Sequence, residues 1–191
     1  MAKKILIIDG HPDKDPARFS HALTNAYAEG AREAGHEVRT LKISEIDFPV
    51  LRSPSDWEKG KVPASLEESQ AAISWADHIV IIYPLFLGDV PALLKAFLEQ
   101  VMRPGFALEP LGKSLSPGKL KGKSAHIIVT MGMPGIIYKL YFFKHSVRSL
   151  KRNILQFVGM KPVRDTVIGS IGQTDTKKWL KRVFEMGRKG V

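Results

Sequence analysis

The feature that most constrains the fold is a series of short apolar runs separated by segments with helical periodicity. We predict strands at 3–9, 37–43, 78–83, 123–131 and 163–171. Runs such as KKILIID and HIVIIYP are nearly continuous in aliphatic residues, which is typical of strands covered on both faces. Strands that alternate with helices pair in parallel through right-handed crossovers. The pattern therefore predicts an α/β protein with a doubly wound, five-stranded parallel sheet in the order 2-1-3-4-5 and helices on both faces.

The segments between the strands have patterns that indicate where helices begin and end. We predict helices at 17–34, 66–75, 90–101, 138–158 and 174–187. Gly35 should end the first helix. Asp89 is the expected N-cap of the third, with Pro91 in its first turn. The segment 46–65 carries three prolines and no clear period, so we expect a long loop there.

Chain length and composition limit the classes of protein to consider. With 191 residues, of which 44% are hydrophobic, the chain is predicted to form a single domain over 1–191. Cysteine is absent, which excludes disulfides, thiolate metal sites and a cysteine nucleophile, so redox chemistry would need a cofactor. No apolar run approaches the ~20 residues that span a bilayer. The N-terminal lysines precede too short an apolar run for a signal peptide, so we expect a cytoplasmic protein.

The charge balance is strongly basic. There are 29 Lys and Arg residues against 19 Asp and Glu, a formal charge of +10, which favours anionic partners. Nucleotides, nucleic acid and acidic membranes all satisfy this condition. The cations concentrate in the runs 113–123 and 144–152. Because neither run belongs to a nucleic-acid motif, we expect no nucleic-acid partner, and a solvated basic face is the plainer interpretation.

In a sheet of this order, ligands bind beyond the carboxyl ends of the strands, between the first and third. The loop after the first strand, GHPDKDPARFS, enters a helix whose free N–H groups favour an anion. His11, Arg18 and Ser20 offer donors suited to a phosphate, although His11 is equally well explained as a turn residue. The glycine spacing matches neither the dinucleotide fingerprint nor the phosphate loop of kinases, and no metal site is predicted.

The loop after the third strand, LFLGD, places Leu85, Phe86 and Leu87 where a solvated turn is expected. A planar aromatic cofactor could cover them, and its polar edge could meet backbone amides. The long loop 46–65 or a second subunit could cover them equally well.

The loop after the fourth strand contains Gly132 and Gly135, which permit close approach of the backbone to a ligand. Aromatic residues follow, and such a cluster is more often core or interface than a cofactor site. Tyr138 and His145 differ from the rest because each brings a proton-bearing group into an apolar neighbourhood.

These motifs make the chain similar to the flavodoxin-like NAD(P)H:quinone oxidoreductase family, which includes quinone reductases, drug-activity modulators and ancillary flavoproteins of potassium efflux systems. The resemblance runs over nearly the whole chain. It rests on GHP after the first strand, on YPLFLGDVPALLKAFLEQV, on TMG ahead of a tyrosine and a histidine, and on LQFVGM. It implies a flavodoxin-like fold, a homodimer with sites at the subunit interface, and a non-covalent flavin, with FAD slightly favoured over FMN. The implied reaction passes hydride from NAD(P)H through the flavin to a quinone.

The resemblance also assigns roles to individual residues. Those that would border the flavin phosphate and ribityl chain are His11, Arg18, Phe19 and Ser20. Those that would line the isoalloxazine ring are Pro84, Leu85, Phe86, Leu87, Gly88, Thr130, Gly132, Met133 and Pro134. Tyr138 and His145 match the active-site pair of the family. The chain departs from the family at Ala17, where many relatives have a serine, and at Phe86, where tryptophan is frequent; His145 is offset by one residue from some members.

The sequence leaves two questions about function open. The donor could be NADH or NADPH. As an alternative to an enzyme, the resemblance also allows a regulatory flavoprotein subunit of a membrane transport system, docked through the basic surface and the aromatic helix. A flavodoxin-like electron carrier is not expected, because such carriers are commonly acidic.

Overall fold

The computed structural model describes residues 1–109 and 118–191 and centres on a five-stranded sheet in the order β2-β1-β3-β4-β5. All four strand pairs are parallel. The strands are β1 (Lys4–Asp9), β2 (Glu37–Lys42), β3 (His78–Pro84), β4 (Ser124–Thr130) and β5 (Val163–Ile168). The three central strands are almost wholly buried, whereas β2 and β5 at the edges are partly exposed. The predicted flavodoxin-like topology is confirmed.

Helices cover both faces of the sheet. They are α1 (Phe19–Glu33), α2 (Pro54–Lys59), α3 (Glu67–Trp75), α4 (Ala92–Val101), α5 (Gly135–Leu140), α6 (His145–Ser149) and α7 (Thr176–Lys189). A π-helical turn, Leu150–Leu155, continues α6. The smaller core lies beneath α1 and α7, and the larger core lies on the opposite face beneath α3, α4 and α6. No helix in the part of the chain described is both long and apolar enough to cross a bilayer.

Glycines allow α1 and α7 to pack with their backbones in contact. A methyl group on Gly30 would lie 2.1 Å from the carbonyl oxygen of Phe184, and one on Gly187 would lie 2.2 Å from that of Tyr27. Both distances are far below any real carbon–oxygen contact. The two helices therefore approach more closely than side chains would permit.

The register of the central strands brings their carboxyl ends side by side. Asp9 pairs with Ile82, and Pro84 pairs with Thr130. The ladder continues into the loops, where the Gly10 N–H donates to Ile82 and the Leu85 N–H donates to Thr130, each at 2.7 Å. The loops after β1, β3 and β4 consequently start from one edge.

The prediction that Asp89 caps the third helix is wrong. The N-cap of α4 is Pro91, and α4 begins at Ala92. Asp89 instead exchanges two backbone hydrogen bonds of 2.9 Å with Phe86, which closes a two-residue hairpin turn at Leu87 and Gly88. The Asp89 carboxylate accepts the next N–H, from Val90, at 2.7 Å.

The predicted helix 138–158 is interrupted. It starts earlier, as α5, and breaks between Leu140 and His145, because Phe143 and Lys144 adopt left-handed conformations with φ of 51° and 52°. The loop predicted at 46–65 also contains α2, whose N-cap Ser53 accepts the Asp56 N–H at 3.0 Å. Of the basic run 113–123, residues 113–117 lie outside the described residues.

Candidate active site

A buried ion pair organises the loop between β1 and α1. Asp9, at the end of β1, and His21, on the buried side of α1, are 1% and 8% exposed, and the His21 Nδ1 lies 2.6 Å from the Asp9 carboxylate. The other ring nitrogen of His21 lies 2.8 Å from the Asp13 carbonyl oxygen. Burial disfavours the charged ring, but these two oxygens outweigh burial and raise the pKa of His21. Because both neighbours are acceptors, both nitrogens donate in the imidazolium form.

His11 lies beside this pair in the same loop. Its Nδ1 accepts the Asp13 N–H at 3.0 Å, so the neutral ring carries its proton on Nε2. Burial, followed by the charge on His21, lowers the pKa of His11. The ring centroid of His11 is 5.2 Å from that of His21 and 6.1 Å from that of Phe86. His11 therefore joins the first loop to the second.

The start of α1 can receive an anion. Arg18 occupies the N-cap position without a side-chain cap, and the first turn carries no acidic residue. The His21 N–H donates to the Arg18 carbonyl oxygen at 3.0 Å, so among the described residues the N–H groups of Phe19 and Ser20 are the ones open to a ligand. The Arg18 guanidinium itself pairs with Asp13 at 2.7 Å and Asp15 at 3.4 Å. Ser20 is buried, with its hydroxyl 3.4 Å from that of Thr130 at the end of β4. Phe19 packs against the smaller core.

The turn after β3 presents apolar side chains to the surroundings. Phe86 is 47% exposed and Leu87 is fully exposed, while Leu85 packs against the larger core. Leu87 and Gly88 have φ of 47° and 84°, a combination that a hairpin turn requires but that disfavours leucine. The backbone therefore holds an apolar side chain outward at a cost in free energy.

The loop after β4 completes the rim of the site. A methyl group on Gly132 would meet no atom of residues 1–109 or 118–191 within 4 Å, so within this part of the chain the glycine borders open space. Met133 is half-buried, its carbonyl oxygen accepts the Ser170 N–H at 2.9 Å, and Pro134 precedes α5.

The predicted pair Tyr138 and His145 occupies two different environments. The two ring centroids are 6.3 Å apart. Tyr138 is completely buried, with its hydroxyl 2.5 Å from Ser146 Oγ and accepting the Val147 N–H at 3.3 Å. His145 is exposed, and its Nδ1 donates to the Phe142 carbonyl oxygen at 3.2 Å, which leaves Nε2 of the neutral ring as a proton acceptor.

His145 also faces the second loop. A methyl group on Gly88 would lie 3.8 Å from Cε1 and 4.0 Å from Nε2 of His145. Residues of all three predicted loops thus surround the exposed turn at Phe86 and Leu87. The Tyr138 hydroxyl does not join them, because the protein interior satisfies it.

Sequence reasoning missed Asp9, His21 and Ser146, although each organises the site. An acidic residue that ends a buried strand is a detectable signal, since a buried carboxylate needs a partner. His21 and Ser146 carry no comparable signal, because their partners lie in other elements.

The residues present fit a flavin. A planar ring could cover the apolar Phe86 and Leu87, the open space beside Gly132 gives it room, and the free N–H groups of α1 suit its phosphate. The buried hydroxyl groups of Ser20, in the first turn of α1, and Thr130, at the end of β4, lie 3.4 Å apart. The apolar and anion-binding features therefore occur in the arrangement that such a cofactor needs.

Comparison with known proteins agrees with this geometry. The family model Flavodoxin_2, described as flavodoxin-like fold, matches residues 3–183. The chain belongs to the Flavodoxin_2 family. This Flavodoxin_2 chain is 28% identical over 176 residues to an uncharacterized NAD(P)H oxidoreductase of Haemophilus influenzae, covering 90% of the chain and 86% of the relative.

Two solved structures share the fold of this Flavodoxin_2 protein. The NAD(P)H:quinone oxidoreductase from Methanothermobacter marburgensis superimposes with a TM-score of 0.83 at 23% identity, covering 99% of this chain and 97% of that one. The FMN-dependent NADH-azoreductase from Bacillus anthracis, in complex with FMN, gives a TM-score of 0.73 at 19% identity, covering 97% and 96%.

Proposed function

We propose that the chain, as one domain over residues 1–191, is a flavin-dependent NAD(P)H oxidoreductase that reduces quinones or similar acceptors by two electrons. The observation that carries the proposal is the strained, exposed turn at Phe86 and Leu87, flanked by His11 on one side and His145 on the other. The relatives named as NAD(P)H and quinone oxidoreductases support it. None of the relatives reported above is named as a subunit of a transport system, so we do not propose the regulatory alternative.

A bound flavin supplies the capacity to accept and donate hydride, which no side chain of this protein has. Phe86 and Leu87 provide an apolar surface that excludes water from one side of a planar ligand. Nε2 of the neutral His145 ring has no hydrogen-bond partner among the described residues, so it can take up a proton at the rim and give it to a reduced acceptor. Tyr138 acts as a positioning residue, because its hydroxyl holds Ser146 and Val147 in the helix that begins with His145.

Space for an acceptor lies beside the turn. A cavity of about 470 Å³ opens there, bordered by Phe86 and Leu87 on one side and by Ser149, Leu150 and Ile154 on the other. Its walls are mostly apolar, which suits an aromatic acceptor and disfavours a highly charged one.

We also propose which flavin the protein binds. The sequence resemblance slightly favours FAD, whereas the azoreductase of similar fold binds FMN. We expect FMN, because the anion-binding N–H groups of α1 suit a terminal phosphate. Mass analysis of the nucleotide released on denaturation distinguishes the two.

The test begins with the absorbance spectrum of the purified protein and continues with reconstitution by FMN and by FAD. We expect a yellow protein that oxidises NADH or NADPH in the presence of a quinone. A colourless protein that neither flavin restores would contradict the proposal.

We also propose a homodimer in a cytoplasmic location, as the resemblance implies. A groove of about 320 Å³ between α4 and the π-helical turn is lined by Leu98, Met102 and Phe157, of which Phe157 is 58% exposed. A second copy seated there would cover Phe157. Light scattering should give twice the mass of the chain, and Phe157→Glu should reduce it to one chain; a wild-type monomer would contradict the dimer.

A further inference from the structure

A second apolar surface lies on α5 and the turn that follows it. Five large side chains there are exposed: Ile136 by 62%, Ile137 by 46%, Leu140 by 62%, Tyr141 by 75% and Phe143 by 62%. They come from only eight consecutive positions of the chain. Exposed apolar clusters of this kind mark interaction surfaces.

The backbone of this turn holds its aromatic residue outward. Phe143 and Lys144 are consecutive non-glycine residues in the left-handed region, at φ of 51° and 52°. Such conformations cost free energy and persist where the surrounding structure imposes them. The Lys144 side chain is held by Asp165 at 2.5 Å, which fixes the end of the turn.

Cations flank the apolar side chains. A concavity of about 650 Å³ is lined by Lys139, Lys144, Arg148, Lys151 and Arg152, with Asp165 as its one carboxylate. Asp165 pairs with Lys144 and Lys151, the latter at 3.3 Å, and these two lysines lower the pKa of Asp165 in spite of its partial burial. In the part of the chain that the structure describes, Lys139, Arg148 and Arg152 have no carboxylate partner. The concavity therefore keeps a strong positive charge.

Phe143 and Lys139 link the apolar groups to the cationic ones, since Phe143 lies beside two arginines and Lys139 lies on α5. A smaller concavity of about 290 Å³ is walled by Phe143 together with Arg148 and Arg152. We call these ten residues, the five apolar and the five cationic, the α5–α6 face.

We propose that the α5–α6 face binds peripherally to a lipid bilayer that contains anionic lipids. The apolar side chains would enter the boundary between headgroups and acyl chains, while the cations would contact the lipid phosphates. This inference does not rest on the proposed enzymatic activity, because it uses surface groups outside the Phe86–Leu87 turn, although His145 also lines the smaller concavity and places the face beside the proposed site.

Other occupants account for only part of the surface. A small phosphorylated ligand would use the cations but leave the five apolar side chains in water. A second copy docked through the same face on both subunits would bring the cations of both copies into one interface. Helix α7 is a control surface that exposes cations but no large apolar cluster beside them. Its Lys177, Lys178 and Lys181 are exposed, whereas Val183 is buried and Trp179 packs against the core.

Vesicle flotation with the full-length protein tests the proposal. We expect the protein to float with vesicles of phosphatidylcholine that contain about one-third phosphatidylglycerol, to float at least tenfold less with pure phosphatidylcholine, and to be released by high salt. Equal flotation with both vesicles, or none with either, would overturn the proposal.

Two variants separate the apolar and the cationic contributions. Arg148→Ala with Arg152→Ala should weaken vesicle binding by roughly 30-fold, from a loss of about fivefold for each cation. The control Lys177→Ala with Lys181→Ala removes the same charge from α7 and should weaken binding by less than threefold. Equal effects of the two pairs would overturn the assignment to the α5–α6 face.

Leu140→Ser with Phe143→Ser should weaken vesicle binding at least tenfold, because two apolar insertions are lost. Val50→Ser, at a position 54% exposed elsewhere, should have no effect. Light scattering and circular dichroism of each variant verify its assembly and folding. If the serine pair instead converts a dimer into monomers and binds vesicles as the wild type does, the face is a subunit interface and the proposal fails.

Discussion

At the scale of single residues, Leu87 shows how a local conformation can conflict with side-chain chemistry. It sits at the first central position of a two-residue hairpin turn, where asparagine or glycine is usual, and its side chain is fully exposed. Neither backbone preference nor burial explains a leucine there. A ligand or a second subunit that covers the side chain would explain it. The apolar character of this turn is visible in the sequence, whereas its left-handed backbone is not.

Replacing Leu87 by Asn should therefore stabilise the flavin-free protein by about 1 kcal/mol, since asparagine tolerates the left-handed region. The same variant should retain flavin less well, because the apolar cover is lost. Urea unfolding and flavin titration measure the two effects. Gly88→Ala, at φ of 84°, is the matched control and should destabilise the protein by about 1 kcal/mol. A destabilised Leu87→Asn variant would contradict the strain argument.

His21 should make the stability of the protein fall as pH rises. The pKa of His21 is raised above 6.5 in the folded state, chiefly by Asp9 acting against burial, so the pair contributes fully below about pH 6.5 and is lost as pH rises through the folded pKa. The difference in free energy of unfolding between wild type and His21→Gln should shrink as the pH rises above about 6.5. Chemical denaturation at each pH measures it.

His11 provides a control, because its contribution to stability should change with pH in the direction opposite to that of His21. Burial and the charge on His21 lower the pKa of His11, so its protonation destabilises the fold and its contribution should grow as pH rises. If His11→Gln and His21→Gln showed the same dependence, the assignment of the charged ring to His21 would be wrong.

At the scale of elements, what the sequence predicts depends on whether the signal is local. Strands β1, β3 and β4 are predictable because each is a continuous apolar run buried on both faces. The break after α5 is not, because KLYFFKH contains neither glycine nor proline where two residues turn left-handed. Asp89 has the composition of a cap, but the tight turn with Phe86 moves it away from the helix.

The break between α5 and α6 places Tyr138 and His145 on different helices, and we expect the two residues to have different roles. His145→Asn should leave the free energy of unfolding unchanged within about 0.5 kcal/mol and lower quinone-dependent NAD(P)H oxidation about 100-fold. Tyr138→Phe should cost about 1–3 kcal/mol of stability, because it removes a hydroxyl that bonds to Ser146 and to the Val147 N–H. Tyr138→Phe should lower turnover less than His145→Asn does.

Denaturation curves and steady-state kinetics on the two variants provide both readouts. If Tyr138→Phe lowered turnover as strongly as His145→Asn without any loss of stability, Tyr138 would contact the reacting groups directly. The buried arrangement of its hydroxyl would then change when substrate binds.

At the scale of the whole molecule, topology is the best-predicted property and inter-element packing the least. Alternating strands and helices, together with right-handed crossovers, leave few arrangements open, so the sheet order follows from the sequence. The contact between α1 and α7 does not, because it depends on Gly30 and Gly187 meeting backbone atoms of distant residues. Convergence of the three loops is predictable from the sheet order, whereas the hydrogen-bond partners of His21 and Tyr138 are not.

Gly30→Ala should consequently destabilise the entire fold by about 2 kcal/mol or more, despite the better helix propensity of alanine, because its methyl group would overlap Phe184. Gly132→Ala is the matched control, since its methyl group meets nothing within 4 Å. It should leave the thermal midpoint unchanged and weaken flavin binding. A stable Gly30→Ala variant would show that the two helices can separate without loss.

Helix α1 runs from the rim of the site to Glu33, and Gly35 follows at the far end, where a methyl group would meet no atom of the described residues within 4 Å. Its 15 residues span about 22 Å. A linker anchored at this far tip would tether the protein to an electrode or a bead with its working edge directed away from the support.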